Sequence, residues 1–233
     1  MIDFYALTSP NVQKIFIMLE ETALPYTIVP VDVWKGDQFK PEFLKVNPNG
    51  KIPVIVDREG PGGRPYTVIE SGAILLYLAE KTGRFLPSDT AKKYDVLQWL
   101  LIQLTGVGPM FGQFTHFKMF APKDGNVYSM SRYQTEVRRL YDVLEKRLGE
   151  APYLGGADYS IADIATFPWT RNHDAQGVTW DDHPNLARWF NMIAERPAVK
   201  KALEKVGAIT SSRDIATEDN KDRFFGRGKY ARA

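Results

Sequence analysis

The stretch NPNGKIPVIVDREGPGGRPYTVIESGAILLYLAEKTG, residues 47–83, decides the fold because two strand patterns, a turn and a helix pattern follow one another in it. Its two β-branched segments are separated by a Gly- and Pro-rich turn, which predicts a β-hairpin over residues 53–57 and 66–69. The helix predicted over residues 71–81 has one apolar face, formed by Ile74, Leu75 and Leu78. The order here is therefore strand, strand and helix.

The residues before this stretch also alternate strand and helix patterns. A short apolar strand is predicted over Ile2–Ala6, and Pro10 suits the first turn of a helix whose apolar face holds Ile15, Met18 and Leu19. Residues 27–33 are rich in β-branched side chains and predict a second strand, followed by a short amphipathic segment around Phe39, Phe43 and Leu44. The N-terminal part is therefore predicted to be an α/β domain of βαβ and then ββα order.

Helical periodicity replaces the strand signal after the first third of the chain. Residues 96–117 carry no charge, but polar, Gly and Pro residues interrupt them, so we predict a buried, kinked core helix rather than a membrane span. A single apolar stripe predicts a long helix over residues 128–148, formed by Met130, Tyr133, Val137, Leu140, Leu144 and Leu148. This part of the chain is therefore predicted to be all-helical.

The end of the chain contains further helices and a polar tail. Ser160 and Asp163 have the spacing of a capping box, and helices are predicted over residues 184–195 and after Pro197. The tail shows no period and predicts an extended or poorly ordered arm with isolated aromatic residues, Phe224, Phe225 and Tyr230. The predicted organisation is an α/β domain, an all-helical domain and a tail, over residues 1–86, 87–209 and 210–233.

The composition excludes several kinds of chemistry. The 233 residues contain no Cys and three His, which excludes disulfides, a CxxC redox pair, a cysteine nucleophile and Cys-ligated zinc, and no metal site is expected. Basic and acidic residues nearly balance in each segment, for a net charge of +2, so the basic patch of a nucleic-acid binder is missing. The first residues lack the pattern of a signal peptide, and we expect a cytoplasmic protein without a membrane segment.

Several strings in the sequence carry a family resemblance. NPNGKIPVIVD, IESGAILLYLAEKTG and YLGGADYSIADIATFPW resemble the glutathione transferase superfamily, and the similarity extends over residues 1 to about 205. TSPNVQK, WKGDQFKPEFLKVNP and SRYQTEVRRLYDVLEKRL look closest to the bacterial nu class, which includes disulfide-bond reductases and is related to a fungal nitrogen regulator. The resemblance implies a thioredoxin-like domain followed by an all-helical domain, a homodimer, and glutathione as cosubstrate with one or two molecules per site.

The predicted catalytic residues lie where the first strand gives way to the first helix. Glutathione is nucleophilic as the thiolate, and donors at a helix N-terminus lower the pKa of a thiol. Asn11 offers an amide N–H to the sulfur and Ser9 a hydroxyl. Nu-class relatives have Asn and Thr here, so Ser9 departs from their pattern, and the adjacent Thr8 could substitute for it. Alternatively, Ser9 only caps a helix with Pro10 at its first position. Tyr5 is a competing candidate, ranked lower because it lies inside the strand.

The resemblance also assigns residues that bind glutathione. The Ile52-Pro53 bond is predicted to be cis and to expose the backbone of Ile52 to the cysteinyl part, whereas the alternative is an ordinary trans proline. Glu70 and Ser71 stand at a strand-to-helix junction, where a helix N-terminus suits the γ-glutamyl carboxylate and an adjacent Glu suits its ammonium group. Ser71 also fits an ordinary N-cap, and the two roles are compatible.

The remaining site residues depend most on the resemblance. Gln38 and Lys51 are predicted to hold the glycyl end and backbone of glutathione, and Arg132 to reach it from the helical domain. The alternative for Gln38 and Lys51 is a solvated side chain, and for Arg132 also an ion pair with Glu136. A substrate pocket between the domains is expected at aromatic and apolar residues that are equally typical of a core, namely Met110, Phe111, Phe114, His116 and Phe117.

The leading functional hypothesis is glutathione-dependent disulfide reduction. Because the chain has no Cys, no mixed disulfide with the protein can form, and both thiols must come from glutathione. Conjugation of glutathione to small electrophiles and reduction of peroxides by the same thiolate remain open. A non-catalytic regulatory or chaperone-like protein of the same fold is the alternative from another class, and Asn11, Glu70, Ser71 and Arg132 argue against it.

Overall fold

The computed structural model describes residues 1–122 and 124–226. The chain divides into two compact units, one formed by residues 1–74 with the C-terminal residues from 201 onward, and one by residues 75–200. The predicted division after residue 86 remains a prediction, and Tyr230 lies outside the described residues. The architecture is the predicted one, because a thioredoxin-like α/β part precedes a helical part.

A four-stranded mixed sheet forms the centre of the first unit. Its strands are β1 (Ile2–Ala6), β2 (Tyr26–Pro30), β3 (Val54–Asp57) and β4 (Tyr66–Ile69), in the order β2-β1-β3-β4. β1 runs parallel to β2 and antiparallel to β3, which pairs antiparallel with β4. The second strand ends at Pro30 rather than at residue 33, because the backbone N–H of Asp32 donates to Asp37 and no longer to the sheet.

α1 (Pro10–Thr22) connects β1 to β2, α2 (Pro41–Val46) lies between β2 and β3, and α3 (Ser71–Thr82) follows β4. α1 begins with proline at its first position, as predicted, and every residue from Val12 to Leu19 is buried. That run includes Lys14, which is 1% exposed. α3 buries the predicted apolar face of Ile74, Leu75 and Leu78.

The second unit is built from helices, and it confirms the predicted kinked segment. α4 (Thr90–Ile102) continues through a π-helical turn (Gln103–Val107) into α5 (Gly108–Met119), since the Gly- and Pro-containing stretch interrupts regular hydrogen bonding. α6 (Val127–Glu150) buries most of its predicted stripe, and α7 (Ile161–Thr170) begins at the predicted capping box of Ser160 and Asp163. α8 (Pro184–Ala194) and α9 (Pro197–Gly207) follow.

The described residues contain neither a membrane-spanning helix nor a metal-binding cluster. No helix within residues 1–122 and 124–226 has both the length and the apolar character needed to cross a membrane. The same residues contain no group of three or more His, Asp or Glu side chains placed to hold a metal ion.

The tail differs from the prediction of an extended or poorly ordered arm. Residues 213–215 form a 3-10 turn, and α10 (Glu218–Phe225) follows, with a capping box between Thr217 and Asn220. Phe224 and Phe225 pack against Trp34 instead of standing isolated. The prediction of an extended or poorly ordered arm is therefore wrong for these residues. Eight residues are too few to show a helical period in the sequence, and the helix packs against Trp34, which lies far away in the chain.

Ion pairs and a hydrogen bond at Glu20 link the end of α9 to α1. The Glu20 side chain is 5% exposed and accepts from Lys205 Nζ at 2.5 Å and from Tyr26 Oη at 2.6 Å, while Lys201 Nζ lies 2.7 Å from its other oxygen. Burial alone would raise the pKa of Glu20, but these hydrogen bonds outweigh it and lower the pKa to about 2.

Replacing Glu20 by glutamine is expected to lower the free energy of unfolding at pH 7 and to remove part of its acid dependence. A carboxylate with a depressed pKa stabilises the folded protein fully above its ordinary pKa of 4.5, and this contribution is lost as the pH falls toward about 2. Denaturant unfolding between pH 2 and 7 measures the difference between the two proteins. Glu195→Gln is the control, since the Glu195 side chain is exposed and bonds Lys200. If the free energies of unfolding of Glu20→Gln and of the parent differ by the same amount at every pH, the depressed pKa of Glu20 is contradicted.

Candidate functional site

The register of the sheet brings the predicted site residues of the first unit to one edge. Val54 pairs with Tyr5 on one side and with Ile69 on the other. Since β1 and β4 end where β3 begins, the segments 7–11, 52–53 and 70–71 leave the sheet at the same end. These three segments contain every predicted catalytic residue and the predicted residues for the glutamyl and cysteinyl parts of glutathione.

The loop before β3 has a fixed shape because of a residue that sequence reasoning missed. Asn47 is 1% exposed. Its side-chain Nδ2 donates to the backbone carbonyl of Lys51 at 2.7 Å, and its side-chain Oδ1 accepts from the backbone N–H of Asn49 at 2.9 Å. Gly50 adopts a φ of +62°, the left-handed region that favours glycine. The Ile52-Pro53 bond that follows is cis, as predicted. Asn47 therefore positions the backbone that reaches Ile52.

The junction between β4 and α3 places a carboxylate beside a helix N-terminus. Glu70 has a φ of +67°, its carbonyl accepts from Ile74 at 2.9 Å, and its exposed carboxylate accepts from Asn49 Nδ2 at 3.2 Å. Ser71 is the first residue of α3 and is 6% exposed. A non-glycine residue in the left-handed region is unusual and is characteristic of functional sites. The geometry provides the predicted pairing of an acceptor for an ammonium group with donors for a carboxylate.

Lys14 lies beneath this junction and was not predicted. Its Nζ donates to Ser71 Oγ at 3.3 Å. Burial lowers the pKa of Lys14 from its ordinary 10.5 to about 7, although the negative charge of Glu70 acts in the opposite direction. The available sequence signal is a lysine directly before the apolar run over residues 15–19. Lys14 brings a titratable positive charge to the predicted carboxylate site.

The residues between β1 and α1 include the predicted catalytic residues. Ser9 is exposed, and its side chain makes no capping hydrogen bond although its carbonyl accepts from Val12 and Gln13. The hydroxyl therefore does not serve as a cap. Asn11 is half-buried in the first turn of α1, and Thr8 is half-buried with its carbonyl bonded by Gln13 Nε2 at 2.9 Å. The competing residue, Tyr5, lies inside β1 as predicted, with its ring edge-on to Phe43.

Gln38 and Lys51 lie on adjoining loops of the same unit. Gln38 is 2% exposed, and its Oε1 has no hydrogen-bond partner within the described residues. The backbone carbonyl oxygen of Gln38 lies 3.5 Å from the position that a Cβ would occupy on Gly50, so the two loops are in contact. Lys51 is exposed, and its Nζ lies 5.9 Å from the centre of the Phe224 ring. The buried Oε1 is thus an acceptor without a donor.

The helical unit holds the other predicted residues. Arg132 is exposed and bonds Glu136 at 2.7 Å, so the predicted intrahelical ion pair is present, and that partner raises the pKa of Arg132. Phe111 is fully buried and stacks on Tyr141, and Phe114 is 3% exposed, so both belong to the core of the unit. Met110, His116 and Phe117 are half-buried, and a pocket role remains a prediction for them.

Comparisons with known families agree with the geometry of both units. The family model for the glutathione S-transferase N-terminal domain matches residues 8–81, and that for the C-terminal domain matches residues 95–197. The chain belongs to the glutathione S-transferase family.

Individual relatives are similar over most of this chain. The disulfide-bond oxidoreductase YfcG of Escherichia coli is 50% identical over 206 residues, which are 88% of this chain and 95% of YfcG. A crystal structure of a glutathione transferase family member from Pseudomonas fluorescens, with two glutathione molecules bound, has a TM-score of 0.83 at 44% identity and covers 87% of this chain and 92% of that one. A glutathione transferase from Pseudomonas putida, with one glutathione disulfide per subunit, has a TM-score of 0.82 at 43% identity and coverages of 87% and 90%.

Proposed function

We propose that this protein is a glutathione-dependent disulfide-bond oxidoreductase of the nu-class type. The observation that carries the proposal is the convergence, at one end of the sheet, of the Asn11 turn, the backbone at Ile52 and the Glu70-Ser71 junction. A relative named as a disulfide-bond oxidoreductase and similar structures with glutathione or its disulfide bound support it.

In the proposed complex, glutathione lies along this edge. Its γ-glutamyl ammonium group contacts Glu70, and its carboxylate faces Ser71 and the first turn of α3. The backbone of Ile52 pairs with the cysteinyl part, and Gln38 and Lys51 hold the glycyl end. Arg132 is proposed to contact a glutathione molecule from the helical unit.

The thiol is then proposed to lie at the start of α1. The amide N–H of Asn11 and the hydroxyl of Ser9 or Thr8 donate to the sulfur, and they stabilise the thiolate more than the thiol. The hydroxyl of Ser9 is available for this role because it makes no capping bond.

Reduction of a disulfide requires two glutathione molecules and no protein thiol. The first thiolate attacks one sulfur of the substrate, forms a mixed disulfide and releases a thiolate, which takes up a proton. The second glutathione thiolate attacks the glutathione sulfur of that mixed disulfide, which yields oxidised glutathione and the second substrate thiol. Two glutathione thiols are oxidised for each substrate disulfide reduced. The protein contributes orientation for in-line attack and a lowered thiol pKa.

Assembly and location follow the same proposal. We infer a homodimer from the family resemblance, and light scattering that shows a monomer at micromolar concentration would contradict it. The dimer should survive reducing agents because the chain has no Cys. The consumption of reduced glutathione fits the cytoplasm, where the glutathione pool is kept reduced.

The experiment that tests the function compares three substrates with the same protein and glutathione concentration. Hydroxyethyl disulfide, a chlorinated aromatic compound and an organic peroxide distinguish disulfide reduction, conjugation and peroxide reduction. The proposal predicts the highest turnover with the disulfide. Faster turnover of either other substrate would favour that alternative, and glutathione binding without turnover would favour a non-catalytic protein.

Replacing Ser71 by alanine is expected to raise the dissociation constant of glutathione by about 10- to 150-fold, since a hydrogen bond to a charged group is worth about 1.5–3 kcal/mol. The free energy of unfolding should fall by less, about 1 kcal/mol, for the lost bond from Lys14. Calorimetric titration with glutathione and urea unfolding measure the two effects. Equal binding by the variant and the parent would restrict Ser71 to a structural role.

A further inference from the structure

The C-terminal segment lies against the loops that carry Gln38 and Lys51. The Phe224 ring centre is 4.7 Å from that of Trp34, a residue only 7% exposed, and Phe225 lies 5.9 Å from it. Ser212 Oγ donates to Asp32 Oδ2 at 2.6 Å, and Asp32 begins the same loop. Two aromatic contacts and one hydrogen bond to a charged group therefore hold α10 beside the predicted glycyl subsite.

Arg223 of α10 approaches the Gln38 loop at Gly36. Glycine has no Cβ, and the position that a Cβ would occupy on Gly36 lies 3.2 Å from Arg223 Cδ and 3.5 Å from Arg223 Nη1. The Arg223 side chain therefore lies against Gly36. Gly36 has a φ of +86°, in the left-handed region that favours glycine. The exposed guanidinium of Arg223 makes no ion pair or hydrogen bond with any of residues 1–122 and 124–226.

A second positive charge lies beside α10. Lys51 Nζ lies 5.9 Å from the ring of Phe224, the neighbour of Arg223 in the sequence, and it has no carboxylate partner in the described part of the chain. Two cations without an anion attract a carboxylate. The glycyl end of glutathione offers one carboxylate.

We propose that Arg223 binds the glycyl carboxylate of glutathione together with Lys51, and that α10 thereby completes the binding site. The inference rests on the proposed glutathione function. It assigns a binding role to the tail, which neither family model reaches, since the second one ends at residue 197.

The test compares Arg223→Gln with the parent protein on two ligands. The first ligand is glutathione, and the second is its ethyl ester, in which the glycyl carboxylate is esterified and the rest is unchanged. Arg213→Gln is the matched control, because Arg213 is exposed on the same segment and the substitution removes the same charge. Calorimetric titration gives each dissociation constant.

Arg223→Gln is expected to raise the dissociation constant of glutathione about tenfold and that of the ester by less than about twofold. Arg213→Gln should leave both values within about twofold of the parent, which excludes a general charge effect. Equal loss on both ligands, or no loss on either, would overturn the inference while the parent still binds glutathione. A parent protein that does not bind glutathione would instead overturn the proposed function, so the two failures are distinguishable.

Discussion

Replacing Asn11 by alanine is expected to lower the rate of disulfide turnover by about a hundredfold, the typical cost of removing one donor from a site that excludes water. The glutathione dissociation constant should stay nearly unchanged, because the two ends of the ligand are proposed to be held by Glu70, Ser71 and Lys51. The lost donor has its greatest value when the sulfur carries negative charge. The thiol pKa in the binary complex, read from thiolate absorbance, should therefore rise in the variant.

Tyr5→Phe is the control for this prediction. It removes the competing hydroxyl from inside β1 and keeps the ring that packs on Phe43, so rate and thiol pKa should both remain those of the parent. If Asn11→Ala changes neither the rate nor the thiol pKa, the assignment of Asn11 is wrong. Ser9, Thr8, Tyr5 or backbone N–H groups would then stabilise the thiolate.

Lys14 is expected to make the free energy of unfolding rise with pH between about 7 and 10.5. Its pKa is about 7 in the folded protein against an ordinary 10.5, so in this window the unfolded chain holds a proton that the folded protein lacks. Each pH unit should then add about 1.4 kcal/mol. Below pH 7 both states are protonated, and the cost of the buried charge is present in full.

Denaturant unfolding of the parent and of Lys14→Met between pH 6 and 10 measures this contribution. Methionine has a similar length and no charge, so the variant should lose the slope that belongs to Lys14. Lys146→Met is the control, because Lys146 lies at an exposed position of α6, and this variant should keep the same slope of the free energy of unfolding with pH as the parent. A slope that is the same in all three proteins would show that Lys14 does not release its proton on folding.

The fold was predictable because its elements have clear local signals. β1 and β4 have the predicted bounds, since each is a short apolar run next to a turn or a helix start. α6 is amphipathic over 24 residues, long enough for its period to be unmistakable. α10 was missed because its position depends on Trp34, almost two hundred residues earlier in the chain, and no local pattern records such a contact.

The site was predictable where it depends on backbone geometry. The cis bond at Pro53 was predicted from the family resemblance of the NPNGKIPVIVD string, and the helix start at Ser71 from the local strand-to-helix pattern. Lys14 and Asn47 were not found, because their roles depend on burial beneath other elements. Phe111 and Phe114 belong to the core of the helical unit, and density of aromatic residues in the sequence does not distinguish a core from a pocket.

The central claim is that glutathione alone supplies both thiols for disulfide reduction. The most direct test is the initial rate of hydroxyethyl disulfide reduction over a range of glutathione concentrations, with the protein first treated with a thiol-alkylating reagent and freed of it. The account predicts a rate well above the uncatalysed one, unchanged by the treatment, with one oxidised glutathione formed per disulfide reduced. A rate equal to the uncatalysed rate at every glutathione concentration would contradict it.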